Sequence, residues 1–198
     1  MKKRSKYVLY LIFSLFVGFL LGVLAIPFFH ESGHYLTAYV FNSSAIDKFD
    51  YSPVRALKNI IIPPENEIGQ QVTFKGDLFE IFPEYQVIII AFAGIIFELI
   101  LFALILFLLK KINEKYSRKR DNKFLVGFSF ILGFYACFAI IILSWLHDIT
   151  GIMSYYSIEP IAQIFIAFSL AISIFLVWFF NLIKYWRILD AHAKALDK

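Results

Sequence analysis

The sequence predicts an all-α polytopic membrane protein with four transmembrane helices and a long extracytoplasmic loop that contains a β-hairpin. Three observations carry this reading. Of the 198 residues, 60% are hydrophobic and 17% charged, a balance that excludes a soluble domain with a large core. Four apolar runs are each long enough to cross ~30 Å of hydrocarbon. The lysines and arginines are lopsided: 15 of the 19 fall in the N-terminus, the second loop and the tail. By the positive-inside rule both termini are cytoplasmic. The net charge of +4 comes from these membrane-flanking segments and does not point to nucleic acid. The single cysteine, Cys137, excludes an intramolecular disulfide.

Residues 1–6 form a basic cap, and residues 7–29 are the first span. Cap and span together mimic a signal peptide, but an uncharged run of 23 residues exceeds a usual signal core, so the span is read as uncleaved. Pro27 lies one turn before His30 and is placed to loosen the helix there. Residues 41–84 are the long polar connection, with Pro53, Pro63, Pro64 and Pro83. Within it, residues 71–82 alternate around Lys75-Gly76-Asp77, which predicts the hairpin with its turn at Gly76-Asp77. Asn42-Ser43-Ser44 is a glycosylation sequon, relevant only in a secretory setting.

The second span, residues 85–109, carries one charge, Glu98. A basic loop over 110–123 separates it from the third span, residues 124–146. Residues 160–183 are the fourth span, with Pro160 suited to a helix start. Residues 1–183 are thus one membrane-embedded domain. Residues 184–198 are a cytoplasmic tail in which Leu182, Trp186, Leu189, Ala193 and Leu196 mark an amphipathic helix. His192 in that tail reads as a surface histidine.

The chemistry gathers at His30-Glu31-Ser32-Gly33-His34, an H-E-x-x-H pattern directly after the first apolar run. On a helix, positions i and i+4 share a face, so two imidazoles there can bind one Zn²⁺. Glu31 is then placed as general base toward water. Polar residues at a membrane span are expensive, which makes them functional candidates. Asp148 lies 24 residues beyond Phe124, where the third span starts, and His30 lies 23 residues beyond Tyr7, where the first span starts. Both spans begin on the same side, so Asp148 and the histidines reach similar depth. Asp148 is therefore the favoured third ligand, with His147 and Glu98 as competitors. His147 faces a different side of its helix, and Glu98 is placed too deep by roughly 15 Å.

These residues resemble the site-2 protease family of intramembrane zinc metalloproteases (M50-type), as a divergent member. His30 to His34 matches the family's first motif, including the glycine before the second histidine. Ala93-Gly94-Ile95-Ile96-Phe97-Glu98 looks like its A-G-P-x-x-N segment, with Ile for Pro and Glu for Asn. Asp148 stands at the family's third ligand, followed by Ile149-Thr150-Gly151 in place of glycine. The resemblance implies zinc held by His30, His34 and Asp148, with Glu31 moving protons and Gly94 and Glu98 positioning substrate. Typical members hold the metal near the cytoplasmic face, whereas the charge count here places it toward the outer face.

The expected function is a membrane-embedded zinc metallopeptidase acting on membrane or membrane-adjacent peptides. The expected location is a prokaryotic cell membrane. Its partners would be the lipid bilayer and a membrane protein or peptide substrate, with no nucleic acid. The alternatives are a metal-dependent hydrolase of a lipid or lipid-linked substrate and a non-catalytic metal-binding scaffold. A transporter would place more polar residues at mid-membrane than Glu98 alone.

Overall fold

In the computed structural model the described backbone covers residues 3–54, 72–116 and 122–195, without the side chains of residues 3–7, 140–147 and 155. Helix α1 spans Lys3–Asn42 and is followed by a 3₁₀ turn, Ser43–Ala45. Strands β1 (Ile46–Phe49) and β2 (Val72–Phe74) come next, then a one-turn helix α2 (Leu78–Ile81). The remaining helices are α3 (Glu84–Tyr116), α4 (Asn122–Ala136), α5 (Phe138–Tyr155) and α6 (Pro160–Ala195). Three of these, α1, α3 and α6, are long and apolar enough to cross a membrane.

The first predicted span ended at residue 29, but α1 continues to Asn42. His30, Glu31 and His34 are buried within this longer helix. Pro27 lies within α1 and does not end it. The third predicted span is two helices, α4 and α5, interrupted at Cys137. Cys137 Sγ donates to Phe134 O, the carbonyl that an unbroken helix would offer to the amide of residue 138. Helix α6 begins at Pro160, as its fixed φ favours, and runs through position 183 without a break. Of the predicted stripe Leu189 is buried, whereas Trp186 is exposed and the neighbouring Tyr185 is buried in its place.

The chain forms two compact units. The first comprises Met1–Val23, Leu101–Ala139 and Phe175–Lys198. In it Gly18 and Gly22, four apart on α1, meet α4 closely. A side chain at Gly18 would strike Phe130 O, and one at Gly133 would strike Leu15 O. Small residues at such crossings let apolar helices approach where lipid offers no hydrophobic drive. Tyr135 and Trp178 bury their polar tips reciprocally: Tyr135 Oη donates to Trp178 O (3.3 Å), and Trp178 Nε1 donates to Tyr135 O (3.1 Å). His192 is half-buried, with its ring 5.6 Å from that of Phe124, and is not a free surface group.

The second unit comprises Leu24–Ile100 and Ile140–Ile174. Its sheet corrects the predicted hairpin. β2 pairs antiparallel with β1, not with residues 78–82, in the register Ile46↔Phe74, Lys48↔Thr73 and Phe49↔Val72. After Gly76 the chain enters α2, because Asp77 caps it by accepting from the Phe79 amide at 2.9 Å. Gln71 of the predicted hairpin, part of the basic loop (117–121) and Leu196 lie outside the described residues. Asn42, the sequon residue, caps the 3₁₀ turn through Oδ1, which accepts from the amide and hydroxyl of Ser44. Ala38, Ala45, Phe82, Val87 and Ile90 form a buried cluster that joins the end of α1 to the start of α3. Helix α5 closes on Ser157 at φ 54°, with Ile158 N bonded to Met153 O and Ser157 N to Ser154 O. This paired pattern satisfies the last carbonyls and turns the chain into α6.

Candidate metal centre

Helical spacing brings His30 and His34 one turn apart on α1, with ring centroids 4.7 Å from each other. Their Nε2 atoms are 3.0 Å apart. Helix α5 delivers Asp148, whose Oδ2 lies 3.0 Å from His30 Nε2 and 4.0 Å from His34 Nε2. All three residues are buried. The ligand atoms of His30, His34 and Asp148 fall within 4.8 Å of one another, and this is the group of metal-capable residues among those described.

The donor set fits a metal ion. Around a tetrahedral zinc with bonds of ~2.0–2.1 Å, ligand atoms stand roughly 3.3 Å apart. The three separations bracket that value. Lone pairs this close repel one another unless a proton or a cation lies among them. The far sides of the rings agree. His34 Nδ1 lies 2.7 Å from Ile90 O. A carbonyl only accepts, so Nδ1 carries the hydrogen and Nε2 presents its lone pair. His30 Nδ1 lies 3.4 Å from Glu98 Oε1.

Two glycines allow α1 and α3 to approach this closely. A Cβ at Gly33 would stand 2.5 Å from Ala93 O. One at Gly94 would stand 2.6 Å from His34 Nε2 and 2.8 Å from His30 Cε1. Gly94 therefore shapes the bed of both imidazoles.

Glu98 is not too deep. The predicted depth assumed that the first span ends at residue 29. Helix α1 runs 12 residues past His30, and Glu98 lies 14 residues into α3. At 1.5 Å per residue these are about 18 Å and 21 Å from adjoining helix ends, so the two residues meet. The site thus lies well inside α1, not at its end.

Glu31 is buried and follows His30 on the next face of α1. Phe28, Glu31 and Tyr35 share that face by their spacing of three and four. Residues of the β1 strand and just beyond cover it. Phe49 packs at 6.0 Å from Phe28 and 5.0 Å from Tyr35, and Tyr51 packs edge-on at 5.2 Å from Phe28. The Tyr51 hydroxyl donates to Leu24 O, in the stretch of α1 that Pro27 loosens. Burial, and then the nearby Glu31 carboxylate, push the Tyr51 phenol above its usual range.

The predicted residues His30, His34, Asp148, Gly94 and Glu98 are thus brought together. The side chain of His147 lies outside the described residues. The Ile90 carbonyl and Tyr51 were missed. A backbone carbonyl leaves no mark in sequence, and Tyr51 is one of 11 tyrosines with no spacing to single it out. No family model, curated protein or solved structure matches this chain.

Proposed function

We propose that this chain is a membrane-embedded zinc metallopeptidase that hydrolyses peptide bonds of membrane or membrane-adjacent substrates. The observation that carries the reading is the convergence of His30 Nε2, His34 Nε2 and Asp148 Oδ2, with the Nδ1 atom of each ring facing an oxygen. The H-E-x-x-H order adds Glu31, a carboxylate that the ligand set does not use. The resemblance to site-2 proteases supports the same reaction class, and the apolar helices around the site favour a substrate drawn from the bilayer.

His30, His34 and Asp148 would hold the ion. Bound zinc supplies a Lewis acid that polarises a carbonyl and acidifies water. Glu31 would accept a proton from the attacking water at a carboxylate oxygen and later deliver it to the leaving amine. Tyr51, Phe28 and Phe49 would limit bulk water on the Glu31 face. Both termini would lie in the cytoplasm, a reading that the asymmetry of the basic residues supports.

The test is cleavage by purified, zinc-loaded protein of membrane-spanning peptides and, in parallel, of phospholipids. Peptide cleavage is expected in the wild type. Glu31→Gln should retain zinc and lose turnover by about 10²–10⁴-fold, the usual contribution of a general base. Full activity in Glu31→Gln would remove the hydrolase mechanism. Cleavage of lipid but of no peptide would reassign the substrate class. Zinc binding with neither reaction would leave a metal-holding scaffold.

A further inference from the structure

We propose that Glu98 is a positioning residue, which orients the His30 imidazole so that Nε2 faces the metal and thereby sets the affinity of the site. The proposal rests on the metal reading above.

Ile90, Gly94 and Glu98 are spaced by four, so they form one stripe along α3. Each meets the histidine pair differently. The Ile90 carbonyl receives His34 Nδ1, Gly94 leaves room for both rings, and the Glu98 carboxylate faces His30 Nδ1. The order is reversed between the helices: His34 meets Ile90, and His30 meets Glu98. One stripe of one helix therefore fixes both rings. His34 is held by a backbone group that no mutation removes. His30 has no carbonyl in the corresponding place. Its Nδ1 is buried and makes no hydrogen bond, so the carboxylate at 3.4 Å is the group poised to take its hydrogen.

Burial makes an ionisable group at this position costly, and Glu98 is only 1% exposed. An apolar residue would pack there without that cost. Glu98 is not itself placed as a ligand, because its oxygen meets Nδ1 whereas Asp148 meets Nε2, across the ring. A carboxylate behind a ligating histidine fixes the ring's tautomer and orientation and raises its basicity. This gives the Glu that stands where the resembled family has Asn a role toward the protein's own ligand in place of one toward substrate.

The test is the zinc dissociation constant, measured by chelator competition on the full-length protein in detergent. Glu98→Leu removes the acceptor, and its affinity should fall roughly 10–100-fold with one zinc still bound at saturation. Glu98→Gln keeps an acceptor oxygen without the charge and should fall between wild type and Glu98→Leu. Thermal unfolding of the metal-free proteins provides the control, since a packing role would move stability and leave zinc affinity alone. If Glu98→Leu does not fold, Glu98→Gln decides alone: unchanged affinity overturns the proposal. Equal affinity in wild type and Glu98→Leu also overturns it, as does loss of the bound zinc at saturation, which would make Glu98 a ligand. A wild type that binds no zinc would overturn the metal reading itself, a separable failure.

Discussion

At the scale of single residues the site is defined by which atoms face inward. His34 offers Nε2 because Ile90 O takes its Nδ1 hydrogen. Asp148 reaches the pair from a helix more than 100 residues later in the chain. Tyr51 gives this arrangement a pH signature. Burial and the Glu31 carboxylate raise its phenol above the usual value near 10. A raised folded-state value means that stability is fully present below the unfolded value of about 10 and is lost as pH rises through the folded one. Tyr51→Phe should therefore remove tyrosinate absorbance that develops above the usual phenol range and soften alkaline unfolding. It also loses the hydroxyl bond to Leu24 O. Absorbance lost only from the part that titrates near pH ~10 would place that phenol in ordinary solvent. At this scale the sequence was informative where chemistry repeats with the helical period, as in His30 and His34. It was silent where a backbone carbonyl or a lone aromatic from a loop completes the site.

At the scale of elements, the close approach of α1 and α3 decides whether the histidines meet their partners. Gly33→Ala would press a methyl group against the Ala93 carbonyl, which cannot move without its helix. A destabilisation of about 1–3 kcal/mol is expected, with weakened zinc binding. Gly94→Ala meets the imidazoles instead of backbone. It should cost zinc affinity more than it costs the thermal stability of the metal-free protein. Comparing metal-free melting with zinc affinity in the two variants checks this split. The reverse ranking would show that Gly94 only spaces the helices. The same elements show the limits of sequence reading. The β1–β2 pairing joins residues 46–49 to 72–74, and no local turn signal announces a partner so distant. Helix α2 arises from the Asp77 cap in a segment whose alternation resembled a strand. The break at Cys137 contains neither Pro nor Gly.

At the scale of the whole molecule, the membrane class was legible from composition and run length, and three helices suit a bilayer crossing. The third predicted crossing, residues 124–146, falls on the interrupted pair α4–α5. The meeting of Glu98 with His30 is not legible from run length, because the polar residues that end the first apolar run at position 30 do not end the helix: α1 continues to Asn42. Orientation rests on the asymmetry of basic residues. Glu114→Cys, near the end of α3 that is cytoplasmic in the proposed topology, should resist an impermeant thiol reagent in intact cells and react after lysis. The native Cys137 is buried and should contribute little background. Ready labelling in intact cells would invert the topology.

The most direct measurement of the central claim is zinc-edge X-ray absorption on the purified protein, together with its metal content. The wild type should bind one zinc, with two imidazole nitrogens and carboxylate or water oxygen at ~2.0–2.1 Å. Asp148→Ala and His34→Ala should each lose the ion or bind it far more weakly, while Glu31→Gln should keep it with the same ligand shell. A wild-type protein free of zinc after loading, or full zinc with an unchanged shell in Asp148→Ala, would contradict a centre built from His30, His34 and Asp148.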